Sequence, residues 1–502
     1  MKSINLFDAL YSHGDDNAVA LLLDDGSTLT RREMRQKVNR YAQALCDFGV
    51  GFGDRVSFLL QKSPNVLCLA HACVQIGAVI HPLNTGYTDT EIEYLIGDIE
   101  PRLFVHGSED TDRFAPLMGR LVVPTATLDV NGRGSLGDAA AFSGPLEDVA
   151  LVEAGTPAAI LYTSGTTGQP KGAEITHGNL VESARQLVAL WKVSATDQLL
   201  HALPVFHAHG LLTSVNVMLS GEASIRFMQV FTAVEAAKVL ATATIMMGVP
   251  THYSRLVRSP GFEKLTGGRF RLAISGSAPL PLDVAQQFSR MTGHHIVERY
   301  GSTEAAIVTA FPSESEPRPG WVGMPLPGVQ IRVRQADGTV RRRGGTGTLE
   351  TAGHHVFAGY WKRTDATREV FTEDGWFITG DIAEVDESGC VRLIDRAKDI
   401  VISGGLNVYP REVETHLEDV HGIAASAVFG VPHPDFGEAV VAAVEIEAGS
   451  AFDERYTIEQ LRAVLAAYKV PKRIVVIEVI PRNRMGKVLK TELRNAFSTL
   501  FR

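Results

Sequence analysis

The densest concentration of phosphate-handling groups in the chain is Tyr162-Thr163-Ser164-Gly165-Thr166-Thr167-Gly168-Gln169-Pro170-Lys171-Gly172, directly after the apolar run 158–162. Its glycines, hydroxyls and single ammonium can surround a polyphosphate with backbone N–H groups, side-chain oxygens and positive charge. It is not a Walker A loop: the spacing Gly-x-x-x-x-Gly-Lys-Ser/Thr is absent, and Lys171 stands between Pro170 and Gly172. A second polar cluster, His207-Ala208-His209, offers two imidazoles but no third ligand at a spacing suited to zinc, so packing or gating is the reading there.

These groups need a rigid frame, and the hydrophobic pattern supplies one. Thr30 opens the charged, periodic run 31–48, which reads as a capped amphipathic helix ending at Gly49. Residues 55–60 and 79–83 read as strands and 65–77 as the helix between them, an alternation that implies a mostly parallel sheet covered by helices. Further apolar runs at 158–162, 199–203, 245–249 and 271–275 end at or beside Gly, Ser or Pro, where α/β proteins place ligand chemistry. From about Arg318 the texture becomes short and β-rich (329–333, 347–350, 377–385, 391–394). Beyond Lys398 the segments 412–417, 428–431, 439–446, 458–465 and 474–479 read as a small α+β unit. The expected fold is α/β: an N-terminal domain over 1–397, made of layered α/β subdomains plus a β-rich subdomain, and a small mobile α+β C-terminal domain over 398–502.

Composition narrows the function classes. Of 502 residues 45% are hydrophobic, and 48 Lys+Arg against 57 Asp+Glu give a net charge of −9 with no basic block, which argues against a nucleic-acid partner or a polybasic membrane patch. Cys46, Cys68, Cys73 and Cys390 form no Cys-x-x-Cys pair and fit reduced core thiols. No apolar run has signal-peptide or membrane-spanning length, so a cytoplasmic protein is expected.

Eight ordered motifs resemble those of the adenylate-forming superfamily of acyl-CoA synthetases, luciferases and nonribosomal peptide adenylation domains. They are the phosphate loop, Leu203-Pro204-Val205-Phe206-His207, Ser275-Gly276-Ser277-Ala278-Pro279-Leu280, Glu298-Arg299-Tyr300-Gly301-Ser302-Thr303-Glu304, Thr379-Gly380-Asp381, Arg396-Ala397-Lys398-Asp399, the stretch from Gly404-Gly405 to Glu414, and Pro481-Arg482-Asn483-Arg484-Met485-Gly486-Lys487. The resemblance implies ATP, Mg²⁺ and coenzyme A as reactants, with a carboxylic acid converted first to acyl-AMP and then to a thioester. It assigns the polyphosphate to Thr163, Ser164, Gly165, Thr166, Thr167, Gly168 and Lys171, and the metal to Glu304 with Thr163. Adenine falls to Tyr300, Gly276, Ser277 and Ala278, with Glu298, Arg299, Gly301 and Ser302 of the same motifs beside the nucleotide; the α-phosphate falls to Thr303, and the ribose to Asp381 and Arg396. Lys487 would bridge the carboxylate and the α-phosphate, where two anions must meet. Rotation about Lys398 would then withdraw it and bring Ser403, Gly404 and Gly405 to the pantetheine tunnel. By the same resemblance Lys487 is a target for a lysine acetyltransferase, since acetylation removes the charge.

The acid is approached through Met246-Met247-Gly248-Val249-Pro250-Thr251-His252-Tyr253-Ser254-Arg255, which, with His201-Ala202-Leu203-Pro204 and residues 271–280, resembles the malonyl-CoA synthetases. Arg255 would pair with the second carboxylate of a dicarboxylate, against the alternative of a surface salt bridge, and His207, Ser275 and Ser302 would complete the acid pocket. Ser302 stands where those enzymes usually carry methionine, which enlarges the pocket and admits a substituted malonate or another small acid. Two rival readings are a free-standing enzyme that loads a carrier-protein thiol and a nucleotide-binding protein without the reaction; intact Lys487, Glu304 and phosphate loop weigh against the second.

Overall fold

The structure is a computed structural model and describes residues 4–164, 169–262, 268–278, 280–396, 400–447, 449–481 and 488–501. Lys398, Lys487 and residues 165–168 of the phosphate loop lie outside these, as do the side chains of Ser164 and Arg396.

The fold is α/β, and the layered subdomains expected from the sequence are built on two large sheets. The first has seven strands in the order Gly359–Tyr360, Pro170–Thr176, Pro157–Ser164, Val79–Pro82, Arg55–Leu59, Leu103–His106 and Thr125–Thr127. The second has nine, in the order Met324–Pro325, Ala306–Ala310, Ile296–Ser302, Leu272–Ser275, Ile245–Gly248, Gln198–His201, Ser224–Phe227, Val19–Leu23 and Thr28–Thr30. One hydrophobic cluster joins both, with Val56, Ile80 and Ala159 of the first and Leu199, Ile225 and Ile274 of the second. Helix Pro64–Gln75 is buried from Asn65 to Gln75, as an element apolar all round must be. Helix Arg31–Asp47 instead buries one stripe (Met34, Val38, Ala42, Leu45). Its start is fixed by a reciprocal cap: Glu33 N donates to Thr30 Oγ1 at 3.2 Å, and Thr30 N donates to Glu33 Oε2 at 2.7 Å.

The β-rich region is a five-stranded antiparallel sheet ordered Val340–Arg341, Gln330–Arg334, Gly345–Ala352, Phe377–Val385, Val391–Arg396. Residues from 401 onward build their own sheet (Leu406–Val408, Val401–Ser403, Gly437–Ile446, Ile423–His433, with Arg473–Val476 parallel to Gly437–Ile446) around a separate core that includes Val401, Val428, Val440 and Leu461. Among the described residues no helix is long and apolar enough to cross a membrane.

Candidate active site

The phosphate loop is the tip of a hairpin. Strands Pro157–Ser164 and Pro170–Thr176 pair antiparallel, with Thr163 opposite Lys171 and Ser164 opposite Pro170, so the loop leaves and re-enters the sheet at one point. There Thr163 Oγ1 donates to Glu304 Oε1 at 2.9 Å across 141 residues of sequence, and the Tyr360 hydroxyl donates to the same oxygen at 3.1 Å. The Lys171 ammonium lies 5.5 Å from the centre of the Tyr360 ring. Three of the residues singled out in the sequence thus converge, and Tyr360 joins them unforeseen. Its only sequence signal is an aromatic in a short glycine-rich stretch.

Next to this end, the Tyr300 hydroxyl donates to Asp381 Oδ2 at 2.6 Å, while Asp381 N donates to Thr379 Oγ1 at 3.1 Å. Asp381 is the cross-strand partner of Arg396, so the two expected ribose residues share one register. Gly276, Ser277 and Ala278 follow the end of strand Leu272–Ser275, and Ser277 has a φ of 69°, which fixes a turn that few non-glycine residues adopt. Glu298 accepts a hydrogen bond from Leu280 N at 3.4 Å, and burial pushes its carboxyl up to about 7.

Strand Ile296–Ser302 alternates faces, so Arg299 points away from Glu298 and Tyr300. Its guanidinium rests on the bare α-carbon of Gly276, where a Cβ would come within 2.3 Å of Nε. It is only 7% exposed, its Nε has no hydrogen-bond partner among the described residues, and the hydrogen bond its Nη2 donates to Ser277 Oγ is long at 3.5 Å. Burial pulls its pKa down to about 10, with no carboxylate to oppose that. His207 and His209 are its neighbours. Burial and then the Arg299 charge hold His207 at about 4, so the imidazole is neutral near pH 7. Ser277 Oγ lies 3.2 Å from His209 Nδ1, and the buried hydroxyl of Ser275 has no partner among the described residues. A buried arginine without an anion is costly, and such a site suits an incoming one.

Arg255 lies elsewhere than a buried pocket. Helix Pro250–Val257 buries Tyr253, Leu256 and Val257, and its period turns Arg255 outward to solvent, with no ion pair among the described residues. Neither the buried acid contact nor the surface salt bridge considered from the sequence is seen. His252, one turn earlier, stacks on Phe231 at 4.3 Å.

The C-terminal sheet meets this site. A Cβ on Gly405, whose φ is 82°, would lie 3.0 Å from Val249 Cγ1, so the hairpin of Val401–Ser403 and Leu406–Val408 abuts the residue that precedes the Arg255 helix. Between the two sides lies a cavity of about 80 Å³, walled by Thr163, His207 and Thr303 on one side and by Asn407, Tyr409 and Lys469 on the other. Ser302 donates no wall here; its hydroxyl accepts from Ala305 N at 3.1 Å and shapes the turn that carries Thr303 and Glu304.

Residues 6–361 match the AMP-binding enzyme family and residues 412–487 its C-terminal domain, and the chain belongs to that family. It is an AMP-forming acyl-CoA ligase that takes a carboxylic acid, ATP and CoA. It is 35% identical to a feruloyl-CoA synthase of Amycolatopsis sp, over 94% of each chain. With the mitochondrial malonate–CoA ligase of Mus musculus it shares 33% identity over 98% of this chain and 90% of that one. An ATP-bound crystal structure of MatB from Rhodopseudomonas palustris is 41% identical and covers both chains completely, with a TM-score of 0.78.

Proposed function

We propose that this ligase activates a small dicarboxylic acid, malonate or a methyl-substituted malonate, and releases it as the CoA thioester. The observation that carries this reading is Arg299, a buried cation with no carboxylate partner among the described residues, set beside His207 and Ser277. A second carboxylate would supply the missing anion with charge-assisted hydrogen bonds. A long aliphatic or aromatic acid would leave the charge buried and unpaired. The similarity to a malonate–CoA ligase supports the same choice, whereas the similarity to a feruloyl-CoA synthase favours an aromatic acid, so the acid is decided by experiment. With CoA present, ATP consumption on malonate and methylmalonate is expected to exceed that on acetate, benzoate and a medium-chain fatty acid by tenfold or more; a preference for any of the latter three overturns the reading.

In the first step a carboxylate oxygen attacks the α-phosphorus, the bond from that phosphorus to the bridging oxygen breaks, and pyrophosphate departs. Thr163 to Lys171 hold the β- and γ-phosphates, Thr303 the α-phosphate, Tyr300 and Gly276 to Ala278 the base, and Asp381 and Arg396 the ribose. The Glu304 carboxylate and the Thr163 hydroxyl are hard oxygen donors that fit Mg²⁺, which when bound would neutralise charge on the departing pyrophosphate. Lys487 neutralises the meeting anions. In the second step the CoA sulfur attacks the acyl carbon, AMP leaves, and the thiol proton passes to solvent. No general base is required, because a few per cent of thiolate is present near neutrality. The contact of Gly405 with Val249 and the place of Asn407 at the cavity support assigning this arrangement of the two units to the second step, with rotation about Lys398 between units 1–397 and 398–502 giving the first.

Arg255, exposed on the helix that Gly405 approaches, suits the anionic part of CoA or the cavity entrance better than a buried carboxylate. Arg255→Leu is therefore expected to raise the KM for CoA several-fold while lowering kcat/KM for malonate less than about threefold. A loss of a hundredfold confined to malonate, with propionate unaffected, would return the second carboxylate to Arg255.

A further inference from the structure

Lys469 belongs to the C-terminal sheet's unit, yet its ammonium is shared across the two units. It donates to Glu412 Oε1 at 2.8 Å within its own unit and to Glu91 Oε1 at 2.7 Å in the other. All three side chains are nearly closed to solvent, at 5%, 7% and 11% exposure, and the Lys469 ammonium lies 5.1 Å from the Tyr87 ring centre and 5.8 Å from that of Tyr468. Burial alone would lower its pKa, but Glu412, Tyr87 and Glu91 outweigh burial and hold it above the ordinary lysine value.

Glu91 is built to present that oxygen. It is the third residue of helix Asp89–Ile99, and its other oxygen accepts from Thr88 N and Thr88 Oγ1, both at 2.9 Å, so the carboxylate is held by the helix cap while Oε1 reaches across. Thr88 Oγ1 also lies 3.3 Å from Val464 O, at the end of helix Glu454–Val464 of the C-terminal unit. Arg258 adds one further cross-unit bond, to Pro434 O at 3.0 Å.

The asymmetry of the cluster matters. Separation of the units would strip Lys469 of Glu91 and of the Tyr87 ring; Glu412 and Tyr468 would stay with it, so the cation keeps a carboxylate partner, and Glu91 would pass to water. That makes the contact reversible, whereas a lysine shared only with the other unit would resist release. Lys469 also walls the cavity beside Asn407 and Tyr409, so the contact that joins the units lies at the cavity that holds Thr163, His207 and Thr303.

We propose that the Lys469–Glu91 ion pair, backed by Glu412, is a latch that positions the C-terminal unit for thiol transfer, and that it is a determinant of the second half-reaction and not of the first. The inference rests on the two-step reading above. It acts by population: a contact made in one arrangement only shifts the balance between the two by its own free energy.

Glu91→Gln is the test variant, because the amide keeps an acceptor for the Thr88 cap and removes only the charge that meets Lys469. Acyl-AMP formation, followed as acid-dependent ATP–pyrophosphate exchange, is expected to stay within about twofold of wild type, while single-turnover thioester formation from supplied acyl-AMP and CoA falls about tenfold with little change in KM for CoA. Lys469→Met should show the same split more strongly. The double variant should match Lys469→Met alone, since Glu91 then has no cation to hold. Equal changes in both half-reactions, or additive effects in the double variant, overturn the latch. A second measurement needs no substrate: spin labels at Phe142→Cys and Val479→Cys, both exposed, in a Cys46→Ser background, should report one dominant distance that broadens in Glu91→Gln. An unchanged distribution also overturns it. If wild type activates no acid of the panel, the functional reading fails, and the distance measurement still decides the latch.

Discussion

Lys487→Ala is expected to lower acyl-AMP formation by about a thousandfold, while thioester formation from supplied acyl-AMP stays within about threefold. Removing one preorganised charge from a developing anion costs about 4 kcal/mol, which corresponds to that factor. The lysine is needed only while the carboxylate and the α-phosphate, both negative, come into contact. Once the acyl-AMP bond exists, its charge has no anion pair to offset. Assaying the two half-reactions separately checks this. Equal losses in a folded variant would mean that Lys487 serves both steps, and the proposal of two arrangements of the C-terminal unit would fall with it.

Arg299→Met should change two properties in opposite directions. The guanidinium is buried, unpartnered at Nε and held at about 10 by desolvation, so an apolar side chain of similar length should leave thermal stability unchanged or raise it by a few degrees. Malonate should meanwhile lose a charge-assisted pair in a desolvated site, about 3–5 kcal/mol, or roughly a hundredfold to several thousandfold in kcat/KM. Propionate, which offers no second carboxylate, should hold or improve. Steady-state kinetics on both acids with a melting curve for the variant gives the answer. A fall on both acids by the same factor would assign Arg299 to the nucleotide, the role that its place in the Glu298–Glu304 motif first suggested.

Arg299 also shows what the sequence withholds. Motif order named the phosphate loop, Glu304, Tyr300 and Asp381, and the fold brings them together from three different sheets through the Thr163–Glu304 and Tyr300–Asp381 hydrogen bonds. Motif membership placed Arg299 with the nucleotide, although the two-residue period of strand Ile296–Ser302 turns it away from Tyr300 and Glu298. Period two was visible in the sequence; the bare face of Gly276 that receives the guanidinium was not, since it depends on a neighbouring strand. Arg255 shows the converse: proximity in sequence to Pro250 says where a helix starts, but only packing tells which side faces inward, and that side carries Tyr253, Leu256 and Val257. The helix Arg31–Asp47 was legible to its cap because capping is local. The membership of the sheets was not, because Val19–Leu23 and Thr28–Thr30 join a sheet whose other members begin at Gln198, a pairing that no local pattern encodes. Lys469 was invisible in the same way, as its partners Glu91 and Glu412 are distant in the chain.

The account is tested most directly by competition. The wild-type enzyme is given ATP, Mg²⁺ and CoA with equal concentrations of malonate, methylmalonate, propionate, benzoate and a medium-chain fatty acid, and the thioesters formed are quantified by mass spectrometry alongside AMP. Malonyl-CoA and methylmalonyl-CoA should make up nearly all of the product, with one AMP per thioester. Propionyl-CoA, benzoyl-CoA or a fatty acyl-CoA as the main product, or ATP cleaved to ADP, would contradict it.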